Sequence, residues 1–226
     1  GRCRDIGIGP AYREFHAARA AASPLSLEGD EDDPAAQALA ALFQVDSMDA
    51  LEQTLTHHPA LLELPTLERL AGLVTEADAA QPDATRRLLA LLAVLLERYN
   101  HAHAEQVDLG EQAQFVTLHE SLLPLAQSLD ADLVVGLRRS LGWALNTLGN
   151  AHAEQGDHAA AVQAYTRAID HDPENAMLYR NRAGEHIEME QWPQAEADVA
   201  QAAALEPDAP RLSHLREALT QRTDQP

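Results

Sequence analysis

Lysine is absent from this chain of 226 residues. Its 16 basic side chains are all arginine, and they face 36 Asp and Glu, which gives a formal net charge of -20. Nucleic-acid binding requires a concentrated positive field, so we expect no nucleic-acid partner. The absence of lysine also excludes Schiff-base chemistry and the lysine of a phosphate-binding loop.

Cysteine and long apolar runs are also scarce. Cys3 is the single cysteine, and alone it can form neither an internal disulfide nor a thiolate metal site. No apolar run approaches the ~20 residues needed to span a bilayer, and no signal-peptide pattern opens the chain. We therefore expect a cytoplasmic protein without membrane contact. Arginine in place of lysine is typical of a GC-rich bacterial genome.

Aromatic residues make up only 4% of the chain, and alternating runs of β-branched residues are missing. The 46% of hydrophobic residues are mostly Ala and Leu, the strongest helix formers. The composition predicts an all-α fold. Apolar residues at helical spacing predict helices over Ala35–Phe43, Met48–His57, Thr66–Ala80, Ala84–Glu105, Gln112–Ser128 and Ala131–Glu154.

An internal repeat begins after Leu141, with the period of about 34 residues that is typical of helix-pair arrays. A shift by one period superimposes small residues and prolines, namely Ala161 on Ala195, Ala168 on Ala202 and Pro173 on Pro207. Alanine lets two helices approach closely, and proline stops a helix, so each unit is expected to be a helix pair. Gly156 and Asp157 predict a left-handed turn and a helix N-cap inside the first pair.

These residues resemble the tetratricopeptide repeat family. The first unit matches its pattern at Leu148, Gly149, Ala161, Tyr165, Ala168 and Pro173, and the second at Tyr179, Asn181, Arg182, Ala195, Ala202 and Pro207. The second unit departs from the pattern at Ala183, usually Gly, and at Glu190-Gln191, usually Gly-Asp. The segment Pro210–Arg222 resembles the solvating helix that caps such arrays.

The resemblance implies a right-handed helical-repeat solenoid and a division of the chain into three parts. Residues 1–33 form an N-terminal segment that ends in an acidic linker or helix entry. Residues 34–141 are a helical region of degenerate helix pairs, expected to cover the first repeat. Residues 142–226 hold repeats at 142–175 and 176–209 with the capping helix. Within residues 1–33, only Ala11–Ala22 has helical pattern.

The resemblance also implies a concave groove lined by the first helix of each pair. Matching positions predict a binding site for a protein or peptide at Trp143, Asn146, Asn150, Met177, Arg180, Asn181 and Arg211, with further contributions from Glu154, Glu188 and His214. Some family members grip a peptide's C-terminal carboxylate. Asn150, Asn181 and Arg211 match that clamp, whereas Asn146 stands where it has a lysine. The alternatives are hydrogen bonding to an extended peptide's backbone, with Trp143 and Met177 against its side chains, or plain polar surface.

Catalytic and metal-binding patterns are missing. The eleven histidines have no pair at the spacing that shares a helix face beside a carboxylate, so we interpret them as scattered surface imidazoles. Glu185 and Glu188 lie three residues apart, which we interpret as a solvated acidic face. No nucleophile elbow or glycine-rich phosphate loop occurs. We expect no enzyme activity, no cofactor and no metal.

The sequence thus predicts a non-enzymatic interaction scaffold that binds a protein or extended peptide. An alternative is the regulatory helical arm of a larger bacterial signalling enzyme, such as a caspase-like peptidase; the first residue, Gly1, and the lack of a catalytic set motivate it. A helical metalloenzyme is a third hypothesis. The partner, the pathway and the oligomeric state stay open.

Overall fold

A computed structural model describes residues 33–45, 48–77, 82–103, 107–209 and 211–221. Every regular element in these ranges is helical, which confirms the predicted all-α helical-repeat class. None of the described helices is both long and apolar enough to cross a membrane. The predicted helix Ala11–Ala22 lies outside the described residues.

Ten α-helices follow one another along the described chain, with a short 3-10 turn, Pro59–Leu62, between the second and third. They are α1 Pro34–Leu42, α2 Met48–His57, α3 Leu64–Ala77, α4 Pro82–Ala102, α5 Leu109–Leu129, α6 Ala131–Glu154, α7 His158–His171, α8 Ala176–Glu188, α9 Trp192–Leu205 and α10 Leu212–Gln221. The predicted bounds of α2 and α6 are confirmed. Helices α3 and α4 begin two residues before the predicted starts, because Pro65 and Pro82 stand in first turns, where a missing N–H costs nothing.

The described residues fall into two compact units. One, called the N-terminal unit, lies within Gly1–His103 and Leu118–Leu137; the other, called the repeat unit, lies within Ala104–Thr117 and Arg138–Pro226. The predicted domain boundary between residues 141 and 142 stays a prediction.

The N-terminal unit is built on buried leucines together with Phe43 and Tyr99, which are 2% and 1% exposed. Asp33 is the N-cap of α1, accepting a hydrogen bond from the Ala35 backbone at 2.9 Å, as the predicted helix entry requires. Arg69 donates to the same carboxylate at 2.6 Å. These hydrogen bonds, that of Arg69 above all, lower the pKa of Asp33. A second ion pair joins Arg98 to Glu52.

The repeat unit shows the period of the sequence in its backbone. Helices α7 and α9 begin one period apart, at His158 and Trp192. The turn before each contains one residue with positive φ, 78° at Gly156 and 55° at Glu190. Asp157 accepts from the Ala160 backbone, so the predicted turn and N-cap of the first pair are confirmed.

Small residues allow the helices of the repeat unit to approach closely. The predicted contact alanines are all fully buried, namely Ala161, Ala168, Ala195 and Ala202. At Gly149 the approach is so close that an added Cβ would lie 2.5 Å from Cε1 of Tyr165. Gln112 of α5, only 3% exposed, donates to the Ala144 carbonyl of α6 at 2.8 Å. The capping helix α10 buries Leu212.

Candidate functional site

A groove of about 390 Å³ opens in the repeat unit. It is lined from α6, α7, α8 and α10, together with the residue that precedes α10. The lining residues are Asn146, Asn150, Ala153, Glu154, Tyr165, Met177, Arg180, Asn181, Gly184, Glu185, Arg211 and Leu215. Helices that start each pair therefore supply most of the wall, since Asn146 to Glu154 belong to α6 and Met177 to Glu185 belong to α8.

Most of the predicted site residues line this groove, and three do not. Trp143 is not among the lining residues; it lies on α6 one turn before Asn146 and is 44% exposed. Glu188 and His214 are exposed and also stand outside the lining set. The binding role of all these residues stays a prediction.

Three polar side chains connect α6 and α8 to the residue before α10. Asn181 donates through Nδ2 to Oδ1 of Asn146 at 2.8 Å, and Arg211 donates through Nη1 to Oδ1 of Asn181 at 3.5 Å. Asn146 is only 4% exposed. Its own amide nitrogen makes no hydrogen bond within the described ranges, so the groove presents an unused donor from a buried side chain.

Asn150 has a structural partner that the sequence did not indicate. Its Oδ1 accepts from the hydroxyl of Tyr165 at 2.7 Å. Tyr165 is 2% exposed, and burial, followed by the nearby charge of Glu185, raises its pKa above the ordinary value. The phenol therefore stays a protonated donor, and Asn150 both shapes the groove wall and satisfies a buried hydroxyl.

Arg180 is largely neutralised within the repeat unit. Its side chain is 13% exposed, and Nη1 donates to the Glu206 carboxylate at 2.5 Å. Its Nε is buried and has no hydrogen-bond partner among the described residues. Because Glu206 already compensates its charge, Arg180 is a weaker anion ligand than the sequence pattern alone implies.

Glu185 is the acidic residue that the sequence interpretation misplaced. Its side chain is only 14% exposed and bonds His158 Nδ1 at 2.7 Å, whereas Glu188 is exposed. The interpretation of this pair as one solvated face is therefore wrong for Glu185. Glu185 and His158 are 27 residues apart in the chain, so local spacing does not indicate their contact. Glu185 does lie four residues after Asn181, which puts the two side chains on one face of α8. That spacing is the signal that could have placed Glu185 in the groove.

The interpretation of the histidines as surface groups is wrong at two positions. His119 is fully buried, and His186 is 8% exposed with Nδ1 2.7 Å from Oε1 of Gln191. Both sit in cores, where an imidazole satisfies its nitrogens within the protein. In the described ranges no three His, Cys, Asp or Glu side chains are grouped in a way that could hold a metal ion.

Comparison with known proteins agrees with this geometry. Residues 142–175 match the tetratricopeptide repeat family. Human RNA polymerase II-associated protein 3 is 33% identical over 87 residues, and human small glutamine-rich tetratricopeptide repeat-containing protein beta is 44% identical over 62. A DnaJ homolog subfamily C member 7 homolog from Schizosaccharomyces pombe is 35% identical over 74 residues.

These matches cover 38%, 27% and 31% of this chain but only 13%, 18% and 16% of the respective relatives. The chain thus spans less than a fifth of the length of the curated relatives that it matches. The family match, at residues 142–175, coincides with the first helix pair, whose turn, close glycine contact and buried alanines follow the family pattern. Residues 142–175 thus match a tetratricopeptide repeat in sequence, and the helices of 176–209 follow the same pattern one period further on.

Proposed function

We propose that the repeat unit is a non-enzymatic interaction module that binds an extended segment of a partner protein in this groove. The observation that carries the proposal is the line of amide and guanidinium groups from Asn146 through Asn181 to Arg211, at the wall of a cavity of about 390 Å³. Amides of this kind pair with the N–H and C=O of an extended backbone, while Met177 and Leu215 offer adaptable apolar contact.

Peptide-backbone binding is better supported than the carboxylate clamp. Asn150 already accepts the Tyr165 hydroxyl, and Arg180 already pairs with Glu206. Of the two arginines that line the groove, Arg211 keeps a largely uncommitted positive charge, because its bond to the Asn181 side chain is 3.5 Å long. A module of this class also fits the names of the relatives, one of which associates with RNA polymerase II.

Gly184 offers a test of the groove that leaves the fold intact. A Cβ at Gly184 meets nothing within 4 Å, so Gly184→Leu places a side chain in the open groove, and leucine favours the helix. Gly72 of α3 also has nothing within 4 Å and lies in the N-terminal unit, which makes Gly72→Leu the matched control.

The experiment selects peptides from a displayed random library on the wild-type chain and measures their affinity by fluorescence anisotropy. We expect Gly184→Leu to weaken the selected peptides at least about tenfold, whereas Gly72→Leu binds like wild type. Both variants should melt at or above the wild-type temperature. Equal binding by Gly184→Leu would place the peptide site elsewhere and overturn the proposal.

A further inference from the structure

We propose that the Glu154–Glu185 end of the groove receives a cationic side chain, so that the partner segment is basic; this inference rests on the proposed function. The groove is lined by four charged residues: Glu154, Arg180, Glu185 and Arg211. Glu206 compensates Arg180. Glu154, Glu185 and Arg211 remain. Together they leave the groove with one uncompensated negative charge.

The two carboxylates lie at the same part of the groove. Glu154 is the last residue of α6, and Glu185 lies in the last turn of α8. Both carboxylates line the groove together with Tyr165, whose pKa their charges raise and the charge of Arg211 lowers. Two helix C-termini add their negative partial charges here, and a cation is the ligand that such an end favours.

His158 contacts one oxygen of the Glu185 carboxylate. Its Nδ1 lies 2.7 Å from Oε2 of Glu185, a contact that engages one of the two carboxylate oxygens. The remaining lone pairs stay available to a second donor. Glu154 is exposed and has no ion pair within the described ranges. The end of the groove therefore offers acceptors to a ligand as well as charge.

Room and hydrogen-bonding capacity are present beside the carboxylates. Gly184 adjoins Glu185 and has open space where its side chain would be, which leaves a path for a long guanidinium or ammonium side chain. Asn146, which is 4% exposed, has an unused amide donor that can fix the peptide backbone. The formal charge of -20 steers a cationic segment toward the chain from a distance.

The alternative occupant is an acidic segment or a free C-terminal carboxylate held by Arg211. The test uses three short fluorescent peptides on one neutral scaffold taken from the library selection, with both ends blocked. They differ in one central residue, which is Arg, Glu or Ala. A fourth peptide is the Ala version with a free C-terminal carboxylate.

We expect the Arg peptide to bind at least about tenfold tighter than the Glu peptide at low salt, with the Ala peptide between them. In the variant Glu154→Gln with Glu185→Gln this preference should fall to about twofold. Glutamine keeps an acceptor for His158, so the fold is preserved. Glu174→Gln is the matched control, since Glu174 is an exposed residue of the repeat unit outside the groove lining, and it should keep the wild-type preference.

Tighter binding of the Glu peptide or of the free carboxylate would overturn the basic-partner inference. Equal binding of all peptides, abolished by Gly184→Leu, would overturn it too while leaving the proposed function standing. Failure of every peptide to bind the wild-type chain, the Ala scaffold included, would overturn the proposed function itself. The two failures are thereby distinguished.

Discussion

The two helix pairs of the repeat unit share one backbone but reach it with different side chains. Both pairs turn through one residue of positive φ and end their second helices one period apart, at His171 and Leu205. The family match covers only the first pair, 142–175. The two pairs thus share their backbone geometry although their side chains differ. Each difference in volume or polarity at equivalent positions shows which property the fold needs there.

The first difference concerns helix contact. In the first pair Gly149 lies against Tyr165, and one period later Ala183 and Val199 take the equivalent positions. The first pair combines the smallest residue on one helix with a large ring on the other, and the second pair combines two side chains of intermediate size. Because the volume is redistributed and not simply added, both contacts stay buried.

The second difference concerns polarity. Leu148 and Ala164 of the first pair become Arg182 and Asp198 in the second. Arg182 bonds both oxygens of Asp198, at 2.6 and 2.8 Å, and donates to Thr166 at 3.0 Å. The bond to Asp198 raises the pKa of Arg182. Two buried apolar residues of one pair are therefore replaced by a largely buried ion pair in the other.

Removing one partner of that ion pair should have the largest effect. Asp198 is 7% exposed, so Asp198→Ala leaves a partly buried guanidinium without its carboxylate, and we expect a loss of about 3 kcal/mol in the free energy of unfolding. Urea unfolding followed by circular dichroism measures it. The double variant Arg182→Leu with Asp198→Ala copies the first pair and should stay within about 1 kcal/mol of wild type.

Thr166 makes that control clean, because its hydroxyl still bonds the Val162 carbonyl at 2.7 Å when Arg182 is lost. If the double variant were as unstable as Asp198→Ala alone, the two pairs would not be interchangeable at this contact. The shared backbone would then depend on polarity as well as on volume.

Filling the glycine contact of the first pair should have the next largest effect. The ring of Tyr165 cannot retreat freely, since it is 2% exposed and its hydroxyl bonds Asn150. We expect Gly149→Ala to cost about 1–3 kcal/mol through overpacking, measured by the same unfolding curves. Adding Tyr165→Val copies Ala183 and Val199, and the double variant should lose clearly less than the sum of its single changes. Strict additivity would contradict the idea that volume is shared across this contact.

The turn residues should give smaller effects of opposite sign. Glu190 holds a φ of 55°, which a residue with a Cβ adopts at a cost, so Glu190→Gly should stabilise the second pair by about 0.5–1 kcal/mol. Gly156→Ala, at a φ of 78°, should destabilise the first pair by about 1–2 kcal/mol. Calorimetric melting temperatures should rise for the first variant and fall for the second. A shift in the same direction for both would mean that the two turns are not equivalent.

The fold was predictable from sequence where local signals agree. Helix α6 begins after Asp130, whose Oδ1 caps the Asp132 backbone at 2.8 Å, and ends before the Gly156 turn, so both ends carry a readable signal. Helices α3 and α4 begin before their predicted starts, because Pro65 and Pro82 stand in first turns, which accommodate proline. The repeat period predicted the second helix pair correctly although its turn, at Glu190, departs from the family pattern.

The groove was predictable only in part. Asn146, Asn181 and Arg211 were found by their match to the family pattern, and they do lie side by side. Tyr165 and Glu185 were missed as groove residues, because their placement depends on contacts to Asn150 and His158 that no local spacing encodes. Trp143 shares a helix face with Asn146, yet it lies beyond the lining of the cavity.

The smallest effect should come from titrating the phenol that only the first pair has at this contact. Burial raises the pKa of Tyr165 in the folded chain, whereas the unfolded chain keeps a value of about 10. The contribution of the protonated Tyr165 hydroxyl to the free energy of unfolding is therefore fully present below about pH 10. It is lost as the pH rises through that value toward the pKa of the folded chain. Between pH 9 and 10.5 the wild type should lose slightly more stability than Tyr165→Phe, which retains the ring and cannot ionise. Identical pH profiles would show that the hydroxyl ionises as easily in the folded chain as in water, and that the contact with Asn150 is open to solvent.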